Sequence, residues 1–117
     1  MNNYSLPNDI YKRGNVVWVN LSETNNNSVQ KGVRRAVIIS NNANNEHSSL
    51  VHILPCTTKW KKFFLHIRRN NGYEDICCEQ AMLIPKSDIM FDRAIDHLAP
   101  NEMEKVESAL KIQFGFN

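Results

Sequence analysis

Cysteine is scarce in this sequence and is not arranged as a disulfide framework. The three cysteines, Cys56, Cys77 and Cys78, are an odd number and show no Cys-x-x-Cys spacing. Small secreted domains that depend on disulfides carry an even, regularly spaced set, so this pattern disfavours that class and indicates reduced thiols. The adjacent Cys77 and Cys78 would point to opposite faces of a strand.

Long apolar runs and targeting segments are also missing. No apolar run approaches the roughly 20 residues that a membrane-spanning helix requires. The N-terminal stretch MNNYSLPNDIYKRG lacks the apolar centre of a signal peptide. We therefore expect a cytoplasmic protein that has no membrane partner.

Charge of one sign is in only slight excess, because 14 Lys and Arg against 12 Asp and Glu give a net charge of +2. So small an excess does not by itself indicate an anionic partner. Any argument for such a partner must rest on where the positive charges lie. A chain of 117 residues can bury one core of its own. We expect a single domain with a loose arm over residues 1–11, a barrel over 12–98 and a helix over 100–114.

Motifs for nucleotide and metal chemistry are absent as well. There is no GxxxxGK[ST] segment, which excludes a P-loop. The four histidines lack metal-ligand spacing, so we expect neither a metal nor another cofactor; they are His47, His52, His66 and His97. A nuclease made from this chain would therefore use the 2′-hydroxyl of RNA as its nucleophile, with the protein supplying charge stabilisation and proton transfer.

What the sequence does contain is a series of short β-rich runs followed by one helical segment. Apolar residues recur at helical spacing at Met103, Val106, Leu110 and Phe114, with Gly115 able to cap the helix. Pro55 should end the regular pairing of its strand. The pattern predicts a mostly β fold, a small, strongly bent barrel with a C-terminal helix. Strands are expected over 15–21, 34–40, 49–55, 63–67, 76–84 (interrupted at 79–80) and 93–98, with a helical turn over 87–91.

Two adjacent arginines, Arg34 and Arg35, open the apolar run AVIIS. Side chains alternate along a strand, so one of the two can face solvent while the other lies near the core or a groove and needs an anionic partner. That partner is either an internal acid such as Glu79 or Asp75, or a bound phosphate, whose oxygens suit the planar guanidinium. The arginines alone leave both interpretations open.

A second polar cluster follows Pro55 in the segment PCTTKWKKFF. Hydroxyls of Thr57 and Thr58 can donate to phosphate, and lysines attract a polyanion irrespective of its sequence. Trp60 either stacks on an unpaired base, worth about 1–3 kcal/mol, or folds onto the barrel. The pair Arg68 and Arg69, further along, is more typical of a solvated turn.

Four segments, in this order and spacing, resemble the MazF/PemK family of toxin endoribonucleases. They are RGNVVWVNL, QKGVRRAVIIS, LPCTTKWKKFF and EQAMLIPKSDI. The family pattern runs approximately RGDVVWVDL, EQxGxRPAVVIS, PxTS/T and DQxRTID before a C-terminal helix. The match extends over about residues 12–113, nearly the whole chain.

This resemblance implies an SH3-like barrel of the MazF/PemK/CcdB type that forms a homodimer and cuts single-stranded RNA without a metal. Arg34 matches the arginine of GxRPAV and Thr57 the threonine of PxTS, so both are implied to be catalytic. The expected products are a 2′,3′-cyclic phosphate and a 5′-hydroxyl, and the expected protein partner is a cognate antitoxin. Implied RNA-binding residues are Gln30, Lys31, Thr58, Lys59, Trp60, Lys61 and Gln80.

The sequence departs from the family pattern at four positions. Val29 stands where many relatives have glutamate, and Asn15 replaces an acid. Arg35 replaces a proline, and Met82 replaces an arginine or lysine. Since Arg34 is a poor proton acceptor at its ordinary pKa, the motifs identify no general base. Because both phosphate-facing positions are kept, we expect an active enzyme with a shifted sequence preference.

Two other functions fit the same barrel. It could hold RNA or a partner protein without cutting, or it could poison gyrase. Cleavage of an RNA pool in EDTA separates the enzyme from the binding module. The PCTT segment beside Arg34 argues against the gyrase alternative.

Overall fold

The structure, a computed structural model, describes residues 10–21 and 30–116. The expected arm lies outside these residues except at its end, where Ile10 is buried and its carbonyl accepts a hydrogen bond from the side chain of Asn15 (3.2 Å). The position of Val29 also lies outside them. None of the described helices is both long and apolar enough to cross a bilayer.

A curled antiparallel sheet forms the body of the molecule, with a helix at the C-terminus. The elements are β1 (Asn15–Leu21), β2 (Gly32–Ile38), α1 (Asn42–His47), β3 (Leu50–Thr57), β4 (His66–Arg68), β5 (Asp75–Cys77), β6 (Met82–Pro85), β7 (Asp96–His97) and α2 (Pro100–Phe114). The strands pair in the order β4-β5-β3-β2-β1-β7, and β6 adds to β3. This confirms the predicted mostly β barrel with a terminal helix.

Both faces of the central strands are buried. The neighbours Val16 and Val17 of β1 enter two different core clusters. The first cluster includes Val106 and Ala109 of α2, and the buried members of the second all come from strands. Strands covered on both faces read as continuous apolar runs, which explains why AVI follows the arginines without alternation.

Helix α2 has the predicted bounds. Pro100 begins it, and Gly115 ends it with a φ of 74° in the left-handed region that favours glycine. Val106 lies fully in the core, as the helical spacing predicts. Phe114 does not, because its side chain is largely exposed in the last turn.

Several strand boundaries differ from the prediction. β2 starts at Gly32, two residues early, and the polar segment after it contains α1, which Asn41 caps by accepting the backbone N–H of Asn44 (2.8 Å). β3 continues past Pro55, which lies where its pairing passes from β6 to β5. At that gap the missing N–H of proline costs no ladder hydrogen bond. The strand expected over 63–67 is shorter and shifted, since β4 covers His66–Arg68, and the strand expected over 93–98 shrinks to β7. A short 3-10 turn, Lys86–Asp88, overlaps the start of the segment that was expected to be helical.

Arg69 is buried, contrary to the expectation of a solvated turn. Its guanidinium contacts carboxylates of Glu102 (3.0 Å), Asp96 (2.9 Å) and Glu74 (3.3 Å). Burial alone would lower the pKa of Arg69, but the hydrogen bonds that it donates to Glu102 and Asp96 raise the pKa above its ordinary value. The cluster fixes the start of α2 to the turn that precedes β5.

Candidate functional site

A cleft of about 380 Å³ lies where β2 begins and β3 ends. Strands β1, β2 and β3 and the residues just before β5 contribute its walls. It therefore lies at the rim of the barrel, where the sheet brings together segments that are distant in sequence. The lining residues are Trp18, Val33, Arg34, Arg35, Cys56, Thr57, Thr58, Tyr73 and Glu74.

Arg34 is held in this cleft by backbone carbonyls. Its Nε donates to the carbonyl oxygen of Lys31 (3.0 Å), and its Nη1 donates to that of Cys56 (2.9 Å). No carboxylate among the described residues forms an ion pair with it. Of the five guanidinium N–H groups, these bonds use two, which leaves a fixed cation with donors to spare for an anion.

Thr57 is the last residue of β3 and follows directly on the carbonyl that Arg34 holds. The residue is buried, and its Oγ1 accepts the backbone N–H of Lys59 (3.1 Å). Accepting that bond orients the hydroxyl and leaves its proton for donation. Thr58 also lines the cleft but is exposed.

Arg35 forms the internal ion pair that remained an open alternative for the two arginines. Its Nε and Nη2 each lie 2.7 Å from an oxygen of the buried Glu74, a bidentate pair. The hydrogen bonds that Arg35 donates to Glu74 raise the pKa of Arg35. The acid is thus Glu74, whereas Asp75 pairs with Arg68 (2.8 Å).

The two arginines both line the cleft, although they are adjacent in β2 and adjacent side chains of a strand point to opposite faces. In the antiparallel register Arg34 lies opposite Val19, and Arg35 lies opposite Trp18. Both are half-buried, so the expectation that one of them faces solvent is wrong. Because Glu74 neutralises Arg35, the positive charge of the cleft resides on Arg34.

The lysine and tryptophan segment lies just outside the cleft, in the exposed connection after β3. Lys59, Trp60 and Lys61 are all exposed, and Trp60 retains 69% of its accessible surface. The alternative that Trp60 folds onto the barrel is therefore wrong. Phe64, which the sequence interpretation passed over, is also 70% exposed and packs against Phe63.

The remaining predicted RNA-binding residues lie together beside Arg34. The backbone N–H of Gln30 donates to Oε1 of Gln80 (2.8 Å), which joins the start of β2 to the turn between β5 and β6. Lys31 supplies the carbonyl that accepts from Arg34. The amide N–H₂ of Gln80 donates one hydrogen bond to Oε2 of Glu79 (3.5 Å), which leaves its second N–H for other contacts.

Sequence reasoning missed Trp18, Tyr73 and Glu74 as cleft residues. Trp18 could have been found from strand register, because it is the cross-strand partner of Arg35. Tyr73 and Glu74 come from a turn whose position no local pattern reveals. Glu74 accepts two hydrogen bonds from Arg35 and so holds it in place.

Chemically, the cleft combines a fixed guanidinium, an oriented hydroxyl and a net charge of one positive unit from Arg34, Arg35 and Glu74. Such a combination stabilises the oxygens of a phosphodiester. The exposed lysines and aromatics next to it suit a flexible polyanion with unpaired bases.

The chain matches one protein family over most of its length. Residues 12–114 fit the family described as PemK-like, MazF-like toxin of type II toxin-antitoxin system. No curated protein sequence matches the chain.

Solved structures share the fold at low sequence identity. An endoribonuclease from Mycobacterial species, solved in complex with its cognate antitoxin, is 20% identical with a TM-score of 0.77, and the match covers 91% of this chain and 96% of that one. MazF (Form-I) from Deinococcus radiodurans is 16% identical with a TM-score of 0.80, covering 92% and 98%. The Mycobacterium tuberculosis toxin MazF-mt6 is 17% identical with a TM-score of 0.70, covering 88% and 98%.

Proposed function

The chain belongs to the PemK-like, MazF-like toxin family of type II toxin–antitoxin systems, and from that membership we propose that it is an endoribonuclease that cleaves single-stranded RNA without a metal. The observation that carries the proposal is the convergence of Arg34 and Thr57 on one cleft at the barrel rim. Structural neighbours described as endoribonucleases support the same class of reaction.

In the proposed reaction the 2′-oxygen of RNA attacks the adjacent phosphorus in line and the 5′-oxygen leaves. The 2′-hydroxyl loses its proton, the leaving 5′-oxygen gains one, and the products carry a 2′,3′-cyclic phosphate and a 5′-hydroxyl. Negative charge grows on the non-bridging oxygens as the phosphorus becomes five-coordinate. The free N–H groups of Arg34 stabilise that charge, which is the largest single contribution expected from the protein.

Thr57 donates its hydroxyl proton to a non-bridging oxygen in this scheme. The bond from the backbone N–H of Lys59 restricts how the hydroxyl can turn, so its direction is set before RNA binds. Arg34 is tied to the Cys56 carbonyl, one peptide unit away, so both donors share one rigid segment of β3. Donors fixed in advance need no reorganisation during the reaction.

RNA bound at the cleft would continue over the exposed segment after β3. Lys59 and Lys61 would contact phosphates, and Trp60 would stack on an unpaired base. Gln80 would offer the second N–H of its amide to a base edge near Arg34, since the first donates to Glu79. This arrangement makes the cleavage selective for sequence, since backbone contacts position the strand and base contacts choose it.

Family membership also suggests the protein partners. We propose that two copies of the chain form a homodimer in the cytoplasm and that a cognate antitoxin inhibits it. A cleft and loop that bind a polyanion would also bind an antitoxin segment rich in acidic residues. The mycobacterial neighbour was solved with its cognate antitoxin, and MazF of Deinococcus radiodurans was solved with MazE.

The proposal is tested with purified protein and a mixed single-stranded RNA pool in EDTA. We expect cleavage, with new ends that polynucleotide kinase labels at the 5′-hydroxyl without prior phosphatase treatment. A 2′-deoxy nucleotide on the 5′ side of the cut should abolish it, because the nucleophile is gone. Binding of RNA without any cut would instead identify the non-cleaving alternative.

Two arginine variants distinguish the cleft from general basicity. Arg34→Ala should lower the cleavage rate by about 100-fold or more, while Arg93→Ala, which removes an equal charge from an exposed residue outside the cleft lining, should keep the wild-type rate. Equal losses in the two variants would contradict the assignment of Arg34 to the reaction centre.

A further inference from the structure

A group of three metal-ligand residue types, His66, Cys77 and Glu79, lies beside the cleft. Their ligand atoms all lie within 4.8 Å of one another. His66 of β4 and Cys77 of β5 are direct cross-strand partners, so their side chains share one face of the sheet. Glu79 follows in the 3-10 turn after β5 and reaches back to His66, with Oε2 2.8 Å from Nε2.

Two atoms of this group are buried without a partner among the described residues. They are Nδ1 of His66 and Oε1 of Glu79, and the His66 side chain is only 6% exposed. An unsatisfied buried polar atom costs about 1–3 kcal/mol, and native structures contain few of them. The single hydrogen bond between His66 and Glu79 therefore leaves one polar atom of each side chain buried without a partner.

We propose that His66, Cys77 and Glu79 form a binding site for one zinc ion. Imidazole nitrogen, thiolate sulfur and carboxylate oxygen are the ligands zinc takes in proteins. A neutral imidazole, a thiolate and a carboxylate carry two negative charges, so a divalent ion leaves the buried site neutral. On binding, the Cys77 thiol releases its proton to solvent and its sulfur bonds to the metal.

The ligand set selects among cations. Calcium and magnesium prefer oxygen ligands, and Glu79 is the one residue of this group that has them. Zinc and cobalt(II) accept nitrogen and sulfur together in a tetrahedral arrangement. Three protein ligands leave the fourth position to water, and the Glu79 side chain, 23% exposed, provides a path for solvent.

The group is held in place by its surroundings. The ring of Phe63 meets the His66 ring edge-on at 5.3 Å between centroids. Cys77 and Cys78 are adjacent and both buried, but only Cys77 belongs to the group. Cys78 is therefore a matched control for Cys77.

Binding is measured on the reduced, chelator-treated protein by competition between the protein and a chromophoric zinc chelator. We expect one zinc ion per chain and a higher melting temperature with zinc, because the ion binds the folded state. Cobalt(II) should add the near-ultraviolet absorption of thiolate coordination. Cys77→Ser should abolish that band and weaken zinc binding at least about tenfold, and Cys78→Ala should change neither.

Glu79→Gln is the second variant, because it keeps the shape of the side chain and removes only its charge. It should weaken zinc binding while leaving the fold intact by circular dichroism. If wild type binds no zinc under these conditions, or if Cys78→Ala loses as much affinity as Cys77→Ser, no site exists at this group.

The site also lies next to residues that we assign to RNA, and this consequence rests on the proposed function. Nε2 of Gln80 lies 3.5 Å from Oε2 of Glu79, and Gln80 holds Gln30 through Oε1. A metal that takes Glu79 removes that contact and should lower RNA cleavage in wild type more than in Cys77→Ser. Binding is measured without RNA, so failure of the nuclease proposal and failure of the zinc site give different results.

Discussion

Nη1 of Arg34 donates to the carbonyl oxygen of Cys56 at 2.9 Å and thereby ties the guanidinium to the strand that ends in Thr57. A cation on β2 and a hydroxyl on β3 are positioned by this one bond and the strand pairing around it. The neighbouring Arg35 is neutralised by Glu74 and takes no such position. The two adjacent arginines therefore have different roles, which mutation can separate.

Arg34→Ala should lower RNA cleavage by about 100- to 1,000-fold, because one preorganised donor to a growing oxyanion is lost. The free energy of unfolding should change little, since Arg34 donates to backbone carbonyls and its removal leaves no buried carboxylate without a partner. Arg35→Ala should behave differently and lower the free energy of unfolding by about 1–3 kcal/mol, because the buried Glu74 loses its bidentate partner. Single-turnover cleavage and urea unfolding measure the two effects. A stability loss in Arg34→Ala as large as in Arg35→Ala would reverse these roles.

Thr57→Ala should reduce cleavage far more than Thr58→Ala, although both threonines line the cleft. Thr57 has an oriented, buried hydroxyl, whereas Thr58 is exposed and its Oγ is held by no described partner. Thr57→Ser keeps the hydroxyl and should retain most of the rate. The comparison uses cleavage rates at saturating RNA. Similar losses for both alanine variants would mean that the hydroxyl of Thr57 has no special place in the reaction.

Lys59→Ala and Lys61→Ala should each weaken binding of a cleavage-resistant 2′-O-methyl RNA and make it less sensitive to salt. Each phosphate contact on a single strand contributes a slope of about 0.7 in log affinity against log salt concentration. Lys105→Ala, an exposed lysine of α2, removes an equal charge and is the control. Fluorescence anisotropy at several salt concentrations gives the slopes. If all three variants have the wild-type slope, RNA does not follow the segment after β3.

Acid should destabilise the fold through the Arg69 cluster. Burial alone would raise the pKa of Glu102, but hydrogen bonds from Arg69 and from the backbone of Asn70 and Ala99 lower it below 4.5, and the Arg69 hydrogen bond lowers that of Asp96 below 3.8. Folded-state pKa values below the unfolded ones mean that the unfolded chain binds more protons in this range, so stability rises with pH there. The contribution is complete above about pH 4.5 and is lost as pH falls through the lowered values.

Glu102→Gln tests the same cluster. It should lower the free energy of unfolding by about 3 kcal/mol at neutral pH, since it removes one partner of the buried Arg69. It should also flatten the dependence of stability on pH below about 4.5. Glu104→Gln, on an exposed position of the same helix, should do neither. Urea unfolding across the acid range provides both quantities.

Much of the fold follows from local pattern. The bounds of β1 and α2 are the predicted ones, because each has a strong period and clear end signals. Asn42–His47 was missed as a helix because its asparagines favour loops. The cap at Asn41 and the hydrogen bond from Asn45 to the Ser40 carbonyl stabilise the helix in the folded chain. The break between β5 and β6 came at Glu79–Gln80, where polar residues interrupt the apolar run.

The site was only partly predictable, because burial and partner choice depend on distant segments. The sequence around Arg69 predicts an exposed turn, but in the structure the carboxylates of Glu74, Asp96 and Glu102 surround its guanidinium. The sequence left open whether one of the two arginines pairs with an internal acid such as Glu79 or Asp75, and the turn before β5 brings Glu74 to Arg35 instead. The metal-ligand group escaped detection because strand register, and not sequence spacing, brings His66 to Cys77.

The sequence by itself determined the strands, the terminal helix and the residue types at the barrel rim, since periodicity and capping act over a few neighbouring positions. Only the tertiary structure decided which arginine stays available for an anion, because that depends on which carboxylate is brought within hydrogen-bonding distance. Coulomb attraction and desolvation change over a few ångströms, and antiparallel pairing sets those distances between residues that lie far apart along the chain.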